Sequence, residues 1–359
     1  MAMTSRAAVL RSANDPYTLE EVTLADLRPH EVLVEIVSAG MCHTDMAVRE
    51  SEALPMIPGH EGAGIVTAVG SGIDTIEVGD HVVLSFSSCG HCPFCLRGEP
   101  AYCTSFMPLN VIGRYPDGST GATDGNGDPV GNRFFGQSSF ATHAIADERS
   151  VVVVNRDLPL EILGPLGCGF QTGAGCVLNE MKLRPGQSIV VFGAGGVGMA
   201  AVMAAKLSGA SDIVVVDLHE SRLEMARELG ATRTVDATAD GLVNEILGTN
   251  SGIDYVLETS GVGSALHAGL AALATGGLAV TVTGDRVTGF PPEMLVGKRA
   301  TFSLEGNAHP QLFIPQLLRF WREGRFPFDK LIQAYSLDRI NDAEADSKSG
   351  KAIKPVLQP

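Results

Sequence analysis

Short runs of β-branched and apolar residues, separated by glycines, prolines and polar turn residues, fill the chain up to residue 155. The runs with the length and alternation of strands are EVLVEIVSAG (31–40), GAGIVTAVG (62–70), DHVVLSF (80–86), SFATHAIA (139–146) and SVVVV (150–154). Strands of about four to eight residues have a period of two, whereas no helical period is sustained in this part of the chain. The pattern therefore predicts an all-β, barrel-like first domain.

Between these strands lies a long stretch, residues 107–133, that is rich in Gly, Asp and Asn. It has no sustained period, which predicts a loop. Loops of this length inside a compact domain are usually functional or mobile. We therefore expect residues 107–133 to contribute little to the core.

The pattern changes after Pro159, where buried strands alternate with helices. The predicted strands are SIVVFG (188–193), DIVVVD (212–217), TRTVDA (232–237), YVLETSG (255–261) and GLAVTVTG (277–284), and the predicted helices span 196–209 and 221–230. Strand, helix and strand in steps of about 30 residues are typical of right-handed crossovers in a parallel, doubly wound sheet. The sequence predicts this sheet as the second domain.

The last part of the chain contains an amphipathic segment, HPQLFIPQLLRFWREGRFP (309–327), which predicts a helix ended by Gly324 and Pro327. These changes in pattern divide the chain into a first domain (1–165), a second domain (166–305) and a segment (306–359) that we expect to rejoin the first domain.

Composition and charge narrow the class of protein. Hydrophobic residues make up 45% of the chain and charged residues 19%, which is typical of a soluble globular protein. No apolar run approaches the roughly 20 residues of a membrane span, and the first residues lack the apolar segment of a signal peptide, so we expect a cytoplasmic location with reduced thiols. The net charge of -15 argues against nucleic acid and anionic membranes as partners.

The motif GAGGVG (193–198) predicts a dinucleotide site. Gly193, Gly195 and Gly198 fit G-x-G-x-x-G, and the motif follows an apolar strand and opens a helix whose N-terminus attracts phosphate. Asp217 ends the next strand, about 20 residues later, where a carboxylate binds the adenosine ribose and repels a 2′-phosphate. We therefore predict NAD rather than NADP, although Asp217 can instead cap the next helix. Arg222 is either close to that ribose or a solvated charge on the helix surface.

Four of the seven cysteines lie in CGHCPFCLRGEPAYC, at the spacing C-x2-C-x2-C-x7-C. Four thiolates complete a tetrahedral zinc shell without an open position, so Cys89, Cys92, Cys95 and Cys103 are predicted to form a structural zinc lobe (89–103). A redox C-x-x-C pair is the alternative, but no thioredoxin-like pattern surrounds it.

Three further residues can form a second zinc site. Cys42 follows one predicted strand, His60 precedes another, and Cys168 lies at the predicted domain junction. A Cys2His set leaves the fourth position of zinc open, as catalysis requires. Taken singly, each cysteine is as easily a small buried apolar residue, and the histidine as easily a satisfied polar one.

The segment GHEGAGIVTAVGSGI (59–73) carries a resemblance to a known family. It matches the zinc-site signature of the zinc-containing alcohol dehydrogenases of the medium-chain dehydrogenase/reductase family. The likeness extends through GMCHTD (40–45), the four-cysteine lobe, GPLGCGFQTGAG (164–175), GAGGVG and SKSGKAIKP (347–355). It implies an α/β protein with a GroES-like β-barrel catalytic domain and a Rossmann domain. The stretches FFGQSSFATHA (134–144) and GRFPFDKLI (324–332) look most like aryl or benzyl alcohol dehydrogenases.

The resemblance also implies individual roles. Cys42, His60 and Cys168 would bind the catalytic zinc, with Glu61 as a nearby carboxylate, Asp45 hydrogen-bonded to His60, and Thr44 as the group that begins proton removal from the alcohol. His43 and Lys354 would contact the cofactor pyrophosphate, Gly196 would belong to the cofactor loop, and Thr172 and Val197 would hold the nicotinamide ring.

The implied activity is reversible hydride transfer from a primary alcohol to NAD, which gives the aldehyde, with two zinc ions per chain in a homodimer or homotetramer. One departure concerns Ala47, which replaces the histidine that passes the alcohol proton to solvent in many family members. What replaces that histidine is open, and Cys176 has no predicted role.

The substrate is predicted to be a benzyl-like or allylic alcohol, because Phe86, Phe106 and Phe140 can form an aromatic pocket, although they can equally be core. Two enzymes remain as alternatives: a thiol-dependent formaldehyde dehydrogenase and a general aliphatic alcohol dehydrogenase. A third alternative is a non-catalytic zinc- and nucleotide-binding protein, since fold does not fix function.

Overall fold

The structure is a computed structural model that describes residues 3–50, 53–283 and 292–359. The chain forms two compact units. The first unit contains the described residues up to Cys168 together with His309–Gln316 and Asp329–Pro359, and the second contains Gly169–Ala308 and Leu317–Phe328.

Strands dominate the first unit, whereas strands and helices alternate in the second. The strands are β1 Met3–Val9, β2 Thr18–Leu24, β3 Glu31–Gly40, β4 Gly62–Val69, β5 His81–Leu84, β6 Ala122–Thr123, β7 Pro129–Val130, β8 His143–Asp147, β9 Val151–Val154, β10 Ser188–Phe192, β11 Asp212–Asp217, β12 Arg233–Asp236, β13 Ile253–Glu258, β14 Leu273–Thr281, β15 Arg299–Phe302, β16 Ile332–Ser336 and β17 Lys354–Gln358. The α-helices are α1 His43–Ala47, α2 Pro93–Leu96, α3 Phe106–Asn110, α4 Gly169–Gly175, α5 Gly196–Leu207, α6 Glu220–Leu229, α7 Leu242–Leu247, α8 Gly263–Ala272, α9 Pro310–Arg322 and α10 Ile340–Lys348, and a π-helical turn spans Cys176–Met181.

The first unit is built on two sheets, which confirms the predicted β-rich first part. A seven-stranded sheet has the order β16-β17-β3-β4-β5-β9, with β8 also paired to β3, and a four-stranded sheet has the order β1-β2-β6-β7. The long strand β3 is buried at most positions because it pairs with β4 on one side and with both β8 and β17 on the other. It ends at Gly40, and this end delivers the metal-ligand candidate Cys42.

The expectation that residues 107–133 contribute little to the core is wrong. Ala122 and Val130 lie in a buried cluster with residues of β1, β2 and β3, and Asn110 is fully buried at the end of α3. Strands β6 and β7 are only two residues long. They are too short to produce a pattern in the sequence, yet they complete the four-stranded sheet.

The second unit contains the predicted parallel, doubly wound sheet. Its strand order is β12-β11-β10-β13-β14-β15, and every neighbouring pair is parallel. The β-branched runs of β10 and β11 are almost entirely buried, as expected for strands covered on both faces. The last residue of the predicted strand 277–284, Gly284, lies outside the described residues. In the parts of the chain that are described, no helix is long and apolar enough to cross a membrane.

Candidate active site and metal centres

The first candidate metal centre is the four-cysteine lobe of the first unit. The ligand atoms of Cys89, Cys92, Cys95 and Cys103 all lie within 4.8 Å of one another. Backbone N–H groups point at the sulfurs: the Cys89 N–H donates to Cys103 Sγ at 3.3 Å, and the Cys92 N–H to Cys89 Sγ at 3.4 Å. The backbone N–H groups of Cys95 and Thr104 lower the pKa of Cys92 to about 5. Four converging thiols, two of which accept backbone N–H groups, fit a closed zinc shell.

The second candidate centre brings together residues that are distant in sequence. The ligand atoms of Cys42, His60, Glu61 and Cys168 lie within 4.8 Å of one another. None of the seven cysteines forms a disulfide. Cys168, followed by His60 and Lys354, lowers the pKa of the Cys42 thiol well below its usual range, against the opposing effect of burial. Two sulfurs and an imidazole therefore converge, with a carboxylate beside them.

The imidazole of His60 is completely buried and held by Asp45. Asp45 Oδ1 lies 2.8 Å from His60 Nδ1 and accepts the Gly59 N–H at 3.0 Å, while Asp45 Oδ2 accepts the Cys42 N–H at 2.9 Å. His60 Nε2 is buried and makes no hydrogen bond with any described residue. A buried nitrogen without such a partner, next to two thiols, fits a zinc ion at Nε2.

Glu61 makes a buried ion pair with Lys354. Lys354 Nζ donates to both carboxylate oxygens of Glu61 at 3.0 Å and to the Met41 carbonyl oxygen at 3.2 Å. Burial raises the pKa of Glu61 to about 7, although Lys354 acts in the opposite direction. The structure thus places Lys354 beside the cluster of Cys42, His60, Glu61 and Cys168. The contact of Lys354 with the cofactor pyrophosphate stays a prediction.

The other predicted residues of this region lie on helix α1. The Thr44 hydroxyl is 3.8 Å from Cys42 Sγ, so it belongs to the metal site, whereas His43 and Ala47 are exposed. The roles of Thr44 and His43 stay predictions, and so does the route by which a proton would leave past Ala47.

Sequence reasoning missed the residues that enclose His60. The rings of Phe134 and Phe135 pack on the imidazole, with centroids 5.4 Å and 4.6 Å from its own. Phe135 also contacts Phe106, at 6.1 Å, and Phe106 contacts Phe86, at 5.7 Å. In the sequence these two residues are the doublet FF before Gly136. The doublet lies in the stretch 134–144 that resembles aryl or benzyl alcohol dehydrogenases, but outside the motifs that predict the metal site.

Phe140, the third member of the predicted aromatic pocket, is fully buried and packs on Tyr17 at 6.3 Å. The residues of the predicted pocket, Phe86, Phe106 and Phe140, are therefore all buried. The rings that pack on the His60 imidazole are Phe134 and Phe135, which also contact each other at 5.0 Å, and Phe106 and Phe86 extend this buried aromatic cluster.

In the second unit, the glycine-rich loop joins β10 to α5. Gly193 has φ of 90°, a conformation that side chains other than that of glycine rarely adopt. A Cβ on Gly198 would lie 1.9 Å from the Gly193 carbonyl oxygen, so this glycine lets the helix begin close to the strand. A Cβ on Gly195 would meet no described atom within 4 Å, which leaves space at the N-terminus of α5, where Gly196 is the first residue. Open space at exposed N–H donors fits a pyrophosphate.

Asp217 ends β11 beside this loop. Its Oδ2 accepts the Ala194 N–H at 2.7 Å, and its Oδ1 accepts the His219 N–H at 2.9 Å. Burial tends to raise the pKa of Asp217, but these two hydrogen bonds outweigh it and lower the pKa, so the carboxylate is ionised at neutral pH. Arg222 lies 3.9 Å from Asp217 Oδ2, with its Nε buried and without a hydrogen-bond partner in the described chain.

Thr172 and Val197 also come together in the second unit. A Cβ on Gly173 would lie 1.9 Å from the Val197 carbonyl oxygen, so α4 packs directly on the start of α5. The Thr172 hydroxyl donates to Glu305 Oε2 at 3.4 Å. Cys176 is completely buried in the same unit, and burial raises the pKa of its thiol to about 12, so it is an unreactive thiol at neutral pH.

A doubly wound sheet with a glycine-rich loop, in a chain that also carries a four-thiol cluster and a Cys2His cluster, defines the class of zinc-dependent oxidoreductases with a nicotinamide dinucleotide cofactor. Comparison with known proteins agrees with this class. Residues 28–156 match the alcohol dehydrogenase GroES-like domain, and residues 196–315 match the zinc-binding dehydrogenase family.

Three similar proteins cover essentially the whole chain. A geraniol dehydrogenase of Castellaniella defragrans is 44% identical over 99% of this chain and 98% of its own length. The crystal structure of an alcohol dehydrogenase zinc-binding domain protein from Burkholderia ambifaria is 44% identical, with a TM-score of 0.96 over 100% of this chain and 99% of that one. The benzyl alcohol dehydrogenase structure from Acinetobacter calcoaceticus is 40% identical, with a TM-score of 0.94 over 99% of both chains.

The chain therefore belongs to the zinc-containing alcohol dehydrogenases of the medium-chain dehydrogenase/reductase family. It is a zinc-dependent alcohol dehydrogenase that acts on small-molecule alcohols, which confirms the predicted fold class and enzyme class. The alternative of a non-catalytic zinc- and nucleotide-binding protein is therefore set aside.

Proposed function

We propose that this enzyme reversibly oxidises aromatic and allylic primary alcohols to aldehydes with NAD. The observation that carries the proposal is the buried aromatic cluster that packs on the candidate zinc ligand His60: the Phe135 ring lies 4.6 Å from the imidazole, and the cluster continues through Phe106 to Phe86. Rings and planar alkenes pack favourably on aromatic faces. The names of two similar proteins, a geraniol and a benzyl alcohol dehydrogenase, support the same substrate class, since geraniol is an allylic alcohol.

Cys42, His60 and Cys168 are proposed to hold the catalytic zinc, and the four-cysteine lobe to hold a structural zinc. When bound at an open Cys2His site, zinc supplies a positive charge that lowers the pKa of an alcohol hydroxyl. The Thr44 hydroxyl, 3.8 Å from Cys42 Sγ, both donates and accepts hydrogen bonds and is proposed to take the alcohol proton. Asp45 keeps the His60 proton on Nδ1, which leaves Nε2 available to the metal.

The preference for NAD is proposed from Asp217. Its carboxylate is kept ionised by two backbone N–H donors and stands at the end of β11, beside the loop proposed to bind the pyrophosphate. An ionised carboxylate accepts hydrogen bonds from ribose hydroxyls and repels a 2′-phosphate. Gly193, Gly195, Gly196 and Gly198 are proposed to surround the pyrophosphate, and Thr172 and Val197 to hold the nicotinamide ring. Arg222, 3.9 Å from Asp217, is proposed to lie close to the adenosine ribose.

We further propose a homo-oligomer in the cytoplasm. Among the described strands, β15 lies at one edge of the second unit's sheet, and its residue Phe302 is 42% exposed. An edge strand that carries an exposed phenylalanine favours pairing with the same strand of a second copy. Light scattering of the purified protein tests this assembly, and a monomer at micromolar concentration would contradict it.

Steady-state kinetics over a panel of alcohols tests the proposed function. Benzyl, cinnamyl and geranyl alcohol are compared with ethanol and hexanol, with NAD and NADP, and with or without glutathione plus formaldehyde. We expect the highest kcat/KM for an aromatic or allylic alcohol with NAD. A higher value for ethanol would favour the aliphatic enzyme, and a requirement for glutathione would favour the formaldehyde dehydrogenase; either result would overturn the proposal.

A further inference from the structure

The buried side chain of Gln137 binds the main chain around His60. Gln137 Nε2 donates to the His60 carbonyl oxygen at 2.9 Å and to the Ser85 carbonyl oxygen at 3.1 Å, and Gln137 Oε1 accepts the Gly62 N–H at 3.0 Å. The side chain is 0% exposed. One amide therefore ties His60, just before β4, and Gly62, the first residue of β4, to Ser85, just after β5.

The three hydrogen bonds require an amide at this position. Gln137 uses both hydrogens of Nε2 as donors and Oε1 as an acceptor, a combination that no carboxylate or thioether can supply. A Cβ on Gly62 would lie 2.7 Å from the Ser139 side chain and 3.0 Å from Gln137 Oε1, so the glycine is needed for this close approach.

The residues next to Gln137 hold the His60 ring from the side. Phe135 has φ of 51° and ψ of 34°, a left-handed conformation that is unfavourable for a bulky residue. Its ring nevertheless lies 4.6 Å from the imidazole, tilted by 32°. The Phe134 N–H donates to Ser138 Oγ at 2.9 Å, which closes the turn. Backbone strain of this kind persists where the surroundings determine the conformation, and it is concentrated at functional sites.

We propose that Gln137 is a positioning residue for His60: together with the ring of Phe135 it fixes the orientation in which the imidazole presents Nε2 to zinc. Asp45 determines which nitrogen carries the proton, whereas Gln137 holds the main chain and Phe135 holds the plane of the ring. This inference rests on the proposed catalytic zinc at Cys42, His60 and Cys168.

Asn110 provides a matched control. It is also a completely buried amide with three hydrogen bonds: its Oδ1 accepts the Ser87 N–H at 2.8 Å, and its Nδ2 donates to the Ser87 and Phe106 carbonyl oxygens at 2.9 Å and 2.8 Å. It binds none of the residues of the Cys42, His60 and Cys168 cluster. The change in Tm when Asn110 is replaced therefore measures the general cost of losing a buried amide with its hydrogen bonds.

The test compares Gln137→Met with Asn110→Leu, each prepared both as the zinc holoenzyme and with the catalytic zinc exchanged for cobalt(II). The measurements are the visible absorption of cobalt, which reports ligand geometry, the rate of zinc loss to a chromogenic chelator, and kcat and KM for NAD. We expect both variants to have a lower Tm. Only Gln137→Met should shift the cobalt bands and release zinc about tenfold faster than the wild type. This factor is the lower end of the effect of losing a hydrogen bond that supports a metal ligand. We expect KM for NAD to stay within about twofold of the wild-type value.

Unchanged cobalt bands and an unchanged rate of zinc loss in Gln137→Met would overturn the inference and leave Gln137 a structural residue. If Gln137→Met does not fold, Phe135→Leu gives the same comparison, and unchanged bands in that variant would overturn it equally. A wild-type enzyme that prefers ethanol would reject the proposed substrate while leaving this test valid. A wild-type chain that takes up metal only at the four-cysteine lobe would reject both proposals.

Discussion

Asp45 Oδ1 lies 2.8 Å from His60 Nδ1, and both side chains are inaccessible to solvent. The carboxylate accepts the proton of Nδ1, so the lone pair of the imidazole is placed on Nε2, the nitrogen that lies among the two thiols. The same carboxylate also accepts backbone hydrogen bonds from Gly59 and Cys42. One side chain therefore sets the tautomer of one proposed ligand and fixes the backbone of another.

We expect Asp45→Asn to weaken metal binding about 10- to 100-fold, the usual cost of losing the partner of a metal-binding histidine. The carboxylate oxygens accept three N–H groups, and an amide NH2 would face at least one of them as a second donor. Zinc retained after dialysis against a chelator, together with kcat, checks this prediction. Asp74→Asn, on an exposed turn, is the control. Equal zinc retention in both variants would contradict it.

Cys95→Ser is expected to remove one of two zinc ions and to lower Tm by several degrees, with a smaller effect on kcat measured at low temperature. The four-cysteine lobe has no open ligand position, so its metal stabilises the fold and takes no part in the reaction. Metal analysis, calorimetry and kinetics on the same sample check this. Cys176→Ser, at a buried thiol outside both clusters, should keep both zinc ions. A loss of kcat without any change in Tm would argue against a structural role.

The carboxylate of Asp217 should exclude the 2′-phosphate of NADP. We expect Asp217→Ser to raise the ratio of kcat/KM for NADP over NAD by at least about tenfold, because like charges in close contact cost several kcal/mol. Kinetics with both cofactors at low and moderate ionic strength measure the ratio. Asp236→Ser, at the end of the neighbouring strand β12, is the control, since its carboxylate is exposed. An unchanged ratio in the Asp217 variant would refute the assignment.

Removing Lys354 should destabilise the first unit strongly. In Lys354→Met the buried carboxylate of Glu61 loses its cation, and breaking a buried ion pair in this way costs about 3–5 kcal/mol. Adding Glu61→Gln to the variant should recover part of that loss, because the buried carboxylate left without its cation is then removed. Denaturant unfolding of the two single variants and the double variant forms the cycle that measures the coupling. Additive effects would show that the pair does not interact energetically.

Arg11 links stability to acid pH. It hydrogen-bonds Glu20 and Asp124 and holds the pKa of each carboxyl below its ordinary value of 4.5 or 3.8. A carboxyl group whose pKa is lower in the folded than in the unfolded protein stabilises the fold at pH values above its ordinary pKa. This stabilisation is lost as the pH falls through the lowered pKa. Arg11→Gln should therefore lower Tm by a few degrees near pH 7. The difference from wild type should shrink as the pH falls below the ordinary values of 4.5 and 3.8 and vanish only below the lowered pKa values.

The control for this prediction is Arg156→Gln, since Arg156 pairs with Asp80 at 3.4 Å but is 66% exposed, where an ion pair contributes little. Calorimetry at several pH values gives both curves. A difference between Arg11→Gln and wild type that is constant with pH would contradict the ion-pair explanation.

Local sequence was sufficient where a motif is contiguous or a pattern is long. The bounds of β3 and β11 match the predicted strands, and the motifs selected the residues that the structure brings together around His60. Strands β1, β2, β6 and β7 were missed because they are polar or very short and are defined by pairing with each other. The roles of Gln137 and Phe135 were missed for a related reason. Gln137 bonds to Ser85 and Gly62, and Phe135 packs on His60, all more than 50 residues away in sequence, and no local pattern records such contacts.

Strand β17 pairs with β3 although it follows the second unit in the sequence. This pairing determines when the sheet of the first unit can be completed during synthesis. The Lys354 ammonium and the Glu61 carboxylate are 293 residues apart, and the second unit is encoded between them. A ribosome must therefore synthesise the second unit before β17 can join the sheet that carries Cys42 and His60. The nascent first unit lacks strands β16 and β17 until then, although proteins usually fold from the N-terminus as they emerge. Stable metal loading is accordingly an event of late synthesis, and fusions or truncations at residues 354–358 would affect the metal site before they affect the nucleotide-binding sheet.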